Sequence, residues 1–173
     1  MDTDTQTSPA LEGGGLRDDL LRKDVLAAVL LTEAVGLTSG ALTASDISGW
    51  YATLNQPTLT PPNWVFGPVW TLLYALMGVS LALVWRERES RDAKVGVGLF
   101  ALQLALNFAW SLVFFGGQNP LGGLFVIVPL LVAIVLTIAV FARVDRRAAL
   151  LLVPYLLWVS FATYLNYSIW SLN

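Results

Sequence analysis

The chain contains no cysteine and no histidine. Without cysteine there is no disulfide, no zinc–thiolate site and no thiol nucleophile. Without histidine the commonest metal ligand, general base and haem axial ligand are missing too. Charge is also scarce: 13% of the 173 residues are Asp, Glu, Lys or Arg, against about 25% in soluble domains. The net charge of −2 offers no basic footprint for nucleic acid. What replaces charge is apolar bulk, 56% of the chain. That balance points to a protein whose solvent is the bilayer.

A spanning helix needs about 20 mostly apolar residues. Five segments qualify: Val25–Ala44, Trp64–Trp85, Val95–Phe115, Leu121–Ala142 and Leu150–Trp170. The expected fold is an all-α membrane protein, a bundle of five transmembrane helices. Gly78, Pro129 and Pro154 fall inside these runs, which membrane helices tolerate. Pro129 is a place for a local kink, whereas Pro154 sits near a helix start, where its missing N–H costs least. Residues 1–20 read as a disordered, acidic cytoplasmic tail, and residues 21–173 as the membrane domain. The tail lacks the basic start and apolar run of a signal peptide.

Basic residues are segregated. Arg17, Arg22 and Lys23 precede the first segment; Arg86, Arg88, Arg91 and Lys94 join the second and third; Arg143, Arg146 and Arg147 join the fourth and fifth. The alternate connections, 45–63 and 116–120, and the last three residues carry none. By the positive-inside rule the N-terminus is cytoplasmic and the C-terminus outside. The outer connection from Asp46 to Asn63 is long, stiffened by Pro57, Pro61 and Pro62, and carries Trp50 and Tyr51. It is suited to capping the bundle. An interfacial belt that only anchors the protein accounts equally well for any one of its rings.

On the third segment Gln103, Asn107 and Trp110 share one face. Amides inside a membrane are often satisfied by neighbouring helices. Two amides stacked with an indole favour a pocket that hydrogen-bonds a flat ligand. The fifth segment places Trp158, Ala162 and Asn166 at intervals of four, flanked by Phe161, Tyr164 and Leu165. Seven Trp are many for this length. An interfacial belt accounts for Trp64, Trp85 and Trp170 at segment ends, but not for Trp70, Trp110 and Trp158. Glu33 is an intramembrane carboxylate. It is read as a neutral hydrogen-bonding group in the bundle, with proton or ligand binding as the alternative. Ala101, Ala105 and Ala109 form a small-residue stripe, which offers a homodimer seam or close packing within one chain.

The runs Trp50-Tyr-Ala-Thr-Leu-Asn-Gln-Pro57 and Pro61-Pro-Asn-Trp64-Val-Phe66-Gly-Pro-Val-Trp70-Thr-Leu-Leu-Tyr74, with Gln103-Leu-Ala-Leu-Asn107-Phe-Ala-Trp110 and Pro154-Tyr-Leu-Leu-Trp158-Val-Ser-Phe161-Ala162-Thr-Tyr-Leu165-Asn166, resemble the TspO/MBR family. This is the family of tryptophan-rich sensory proteins, translocator proteins and peripheral benzodiazepine receptors. The resemblance covers all five segments. It implies a five-helix bundle, often dimeric, with a pocket capped by the first outer loop. It further implies binding of porphyrins or haem as ligands rather than as a required cofactor, and in some members light-dependent porphyrin breakdown. Trp70 and Trp158 match the tryptophans implicated in that chemistry, and are expected to flank the ring. Trp50, Tyr51, Pro61, Trp64, Phe66, Gln103, Asn107, Trp110, Phe161, Ala162, Leu165 and Asn166 are the expected ligand-binding residues. No metal ligands, nucleophile or tuned general base accompany them. Transport of porphyrins, or of other amphipathic molecules such as sterols, is the alternative reading. The basic residue that completes a cholesterol-recognition pattern in animal members is missing after Tyr167.

Overall fold

The computed structural model describes residues 22–173, so the tail expected over residues 1–20 lies outside the described residues. The elements are α1 (Lys23–Ser48), α2 (Trp50–Thr53), α3 (Asn63–Trp85), α4 (Arg91–Ser111), a wide π-turn (Leu112–Gly116), α5 (Pro120–Val144), α6 (Arg146–Leu151) and α7 (Val153–Leu172). They make five helices long and apolar enough to cross a bilayer. Their outer faces remain apolar where they meet the surroundings: Leu30, Leu37, Phe125 and Leu157 are each more than 60% exposed. A perimeter of that kind belongs in lipid.

Local chemistry sets the boundaries. The Ser90 hydroxyl accepts from the Ala93 N–H at 3.1 Å and starts α4. Asn119 accepts from the Gly122 N–H at 2.8 Å, with Pro120 next to it, and starts α5. Asp145 accepts from the Arg147 N–H at 2.7 Å and starts α6. Each cap satisfies an amide that the first turn of a helix leaves unpaired. Pro154 stands in the first turn of α7, where a missing N–H interrupts no helical bond. Pro129 lies inside α5, which continues past it.

Three boundaries differ from expectation. The first span runs on through α2 to Thr53, so Trp50 and Tyr51 are helical and the outer loop is Leu54–Pro62. Tyr51 drives this by burying its ring edge-on to Phe114 and Phe115. The third span ends in the π-turn, which swings Phe114 into the core. The fifth span breaks at Leu152 into α6 and α7.

Neighbouring contacts place the spans around the bundle in the order first, second, fifth, fourth, third. The seam between α1 and α3 is tight along the first half of α1. The Thr32 hydroxyl donates across it to the Tyr74 carbonyl at 2.8 Å. Gly78 lies so close to Val29 that an added Cβ would stand 2.5 Å from the Val29 Cα. Phe100 and Phe141 stack at 6.0 Å between α4 and α5. Ser80 donates to the Ala148 carbonyl at 2.8 Å and ties α3 to α6.

Candidate functional site

The centre of the bundle is polar at one level. Asn107 is 2% exposed. Its Oδ1 accepts from the Tyr74 hydroxyl at 2.5 Å, and its Nδ2 donates to the Tyr155 oxygen at 3.1 Å. One amide thus joins α3, α4 and α7. A turn further along, the Trp110 Nε1–H donates to Asn166 Oδ1 at 3.1 Å, and Asn166 Nδ2 donates to the Pro120 carbonyl at 2.7 Å. A membrane interior offers no water for these groups, so side chains must pair with one another.

Beside this network lies a cavity of about 500 Å³, within the size range of small-molecule sites. The middle and second half of α1 form one wall, with Glu33, Gly36, Gly40 and Thr43. The first half of α3 forms the opposite wall, with Phe66, Gly67, Trp70 and Tyr74. Asn107, Trp110 and Ser111 form the back, and Tyr51 and Phe115 the outer end. The aromatic wall is continuous: Trp70 meets Tyr74 at 5.7 Å and Trp110 at 6.5 Å. The cavity opens sideways between α1 and α3. Gly40 and Gly67 line it, are exposed, and have nothing within 4 Å of an added Cβ.

Of the expected ligand-binding residues, Tyr51, Phe66, Asn107 and Trp110 line this cavity, and so does Trp70. The others stand elsewhere, each for a physical reason. Gln103 is 1% exposed and lies one turn before Asn107, sealed from the cavity, with neither amide atom hydrogen-bonded. Asn166 is buried and holds the indole of Trp110 in place, and Ala162 and Leu165 are buried in α7 without lining the cavity. Trp158 lies one ring away, edge-on to Phe66 at 5.8 Å and next to Phe161, its Nε1 buried without a partner. Trp70 lines this cavity, whereas Trp158 is not among its lining residues: Trp158 meets the ring of Phe66, and Trp70 meets Tyr155 edge-on at 6.3 Å. Trp50 packs on Phe114 from outside, Pro61 is in the loop, and Trp64 is 75% exposed, as an interfacial ring is. Of the alanine stripe, Ala101 and Ala105 are exposed and Ala109 is half-buried.

Three features in and around the site are not legible in the sequence. Tyr155 is the hidden partner of Asn107; a tyrosine after Pro154 in an apolar helix was the available signal, since its hydroxyl needs a partner there. Gly36 lets the Tyr74 ring lie against α1, where an added Cβ would collide with it, and Gly67 leaves the α3 wall open; isolated glycines in apolar runs do not reveal which face they occupy.

The TspO/MBR family model matches residues 28–171, all five spans. The chain belongs to the TspO/MBR family. It is 49% identical over 160 residues to the Tryptophan-rich protein TspO of Chlorobaculum tepidum, covering 88% of this chain and 99% of that protein. It is 43% identical over 126 residues to the human Translocator protein, covering 72% and 75%. Protein CrtK of Rhodobacter capsulatus is 40% identical over 125 residues, covering 72% and 78%. As a TspO/MBR protein the chain is an integral, multi-pass membrane protein.

Proposed function

We propose that this protein is a membrane receptor for a flat tetrapyrrole, a porphyrin or haem, held in the cavity between α1, α3 and α4. The observation that carries this reading is the aromatic wall of Phe66, Trp70, Tyr74 and Trp110 facing a laterally open cavity. Such a wall suits a planar apolar ring, which gains stacking and dispersion contacts along its whole face. With no histidine or cysteine in the chain, holding such a ring rests on stacking and amide contacts. Light-dependent loss of the porphyrin belongs to the same reading. Trp70 borders the cavity, and an indole there is placed to pass an electron to a photoexcited ring. Trp158 sits behind Phe66 and acts at one remove. The N-terminus is cytoplasmic in this proposal. Transport of the same class of molecule is the second reading, favoured by the sideways opening, which gives a bilayer-dissolved ligand a route in.

Titration of the protein in nanodiscs with protoporphyrin IX in the dark, followed by illumination, tests it. Saturable binding is expected, followed by loss of the bound porphyrin band faster than in empty nanodiscs. Trp70→Phe should keep binding and slow the loss sharply; Trp158→Phe should slow it less. Absence of saturable binding overturns the receptor reading. Equal loss in wild type and the double variant, at matched occupancy, removes the photochemical part.

A further inference from the structure

One wall residue is unexplained by a porphyrin-binding cavity. Among the described residues Glu33 is the only charged side chain on the cavity wall. It lies 10 residues beyond Lys23, the first residue of α1, which is about 15 Å along a helix and near the middle of a hydrocarbon core of roughly 30 Å. Its carboxylate makes no hydrogen bond or ion pair with any described residue. The nearby Tyr74 hydroxyl is committed to Asn107. Among the described residues the wall contains no Lys or Arg, so no cation among them balances it. A carboxylate at that depth is costly unless a partner is supplied. Across the cavity from α1 stand the rings of Phe66, Trp70 and Tyr74, with Trp110 at the back.

A lone carboxylate facing a set of aromatic rings is the arrangement that selects a cation attached to an apolar body. The ring faces attract positive charge through their quadrupoles, more strongly in a desolvated site. The carboxylate adds a charge-assisted hydrogen bond to an N–H. We propose that the cavity also binds lipophilic amines, protonated at nitrogen, with the ammonium on Glu33 and the apolar body against Trp70 and Tyr74. This goes beyond tetrapyrrole binding, because porphyrin carboxylates gain nothing from Glu33. The amine enters from the bilayer through the opening at Gly40 and Gly67, so its charge need not cross the outer end of the bundle.

The test uses a matched pair of probes. N,N-dimethyl-1-pyrenylmethylamine carries the charge at neutral pH, and 1-isobutylpyrene is its uncharged isostere. Quenching of tryptophan fluorescence is measured in phosphatidylcholine nanodiscs, with empty nanodiscs as the partitioning control. Wild type should bind the amine at least about tenfold more tightly than the isostere, the scale of a desolvated cation–π contact. Glu33→Gln should remove most of that difference and leave isostere binding in place. Glu33→Asp, which keeps the charge, should retain part of it. Circular dichroism and the unfolding midpoint report whether each variant folds. Equal amine affinity in wild type and Glu33→Gln overturns the proposal, as does failure of the amine to bind wild type. Protoporphyrin IX titrated into the same samples separates the two readings. Amine selectivity without porphyrin binding sinks only the receptor reading, and the converse sinks only this one.

Discussion

At Asn107 two tyrosine hydroxyls from different helices meet one amide. Leucine there keeps the volume but leaves both hydroxyls without that partner in an apolar interior. Membrane hydrogen bonds are worth about 0.6–2 kcal/mol each. Asn107→Leu is therefore expected to destabilise the bundle by roughly 1–3 kcal/mol, read as a lower denaturant or thermal midpoint. Tyr74→Phe removes one bond only and should cost less. A midpoint unchanged in Asn107→Leu would show that the network contributes nothing to stability. At this scale the sequence was partly legible. The offsets of Gln103, Asn107 and Trp110 put them on one buried face, and all three are buried. They do not reveal that the cavity stops at Asn107, because that depends on tyrosines supplied by two other helices.

At the scale of elements, the main chains of α1 and α3 come close where Gly78 faces Val29. An alanine methyl at Gly78 meets main-chain atoms rather than a flexible side chain, so the helices must part. Overpacking of this kind costs about 1–3 kcal/mol. Gly78→Ala should lower the unfolding midpoint accordingly, whereas Gly98→Ala, with nothing within 4 Å of the new methyl, should not lower it. Equal midpoints for the two variants would contradict the close seam. Hydropathy located all five spans because lipid demands a long apolar run of each. It missed the π-turn at Leu112–Gly116 and the break at Leu152, because both remain apolar. Their geometry follows from neighbours, from Tyr51 against Phe114 and Phe115 in the first case. The reach of the first span to Thr53 was hidden by Ser45, Asp46, Ser48 and Gly49, which read as loop residues but are carried by the buried ring of Tyr51.

For the whole molecule, the antiparallel spans bring the starts of α1, α4 and α6 and the ends of α3 and α5 to one end of the bundle. Every basic residue among the described ones lies at that end. Orientation can be read by labelling. Ser171→Cys should react with a membrane-impermeant maleimide from outside intact cells, and Glu89→Cys only after permeabilisation. The reverse pattern would invert the protein. The outward-facing residues Ala101 and Ala105 show why composition alone left two readings of the small-residue stripe: spacing places residues on a face, and only the packed bundle shows which face is left over.

The sideways mouth at Gly40 and Gly67 also bears on kinetics. A ligand that arrives through lipid meets the site at its bilayer concentration, not at its concentration in water. Each added methylene raises partitioning by about 0.8 kcal/mol, roughly fourfold. Along a series of ligands that differ only in alkyl length, association rates at one fixed free aqueous concentration should climb by about that factor per carbon, while dissociation rates into lipid stay nearly level. A series whose association rates ignored chain length would place the entrance at the water-facing end. Encounter with this protein would then be governed by how long a molecule dwells in the membrane rather than by how often it collides from solution.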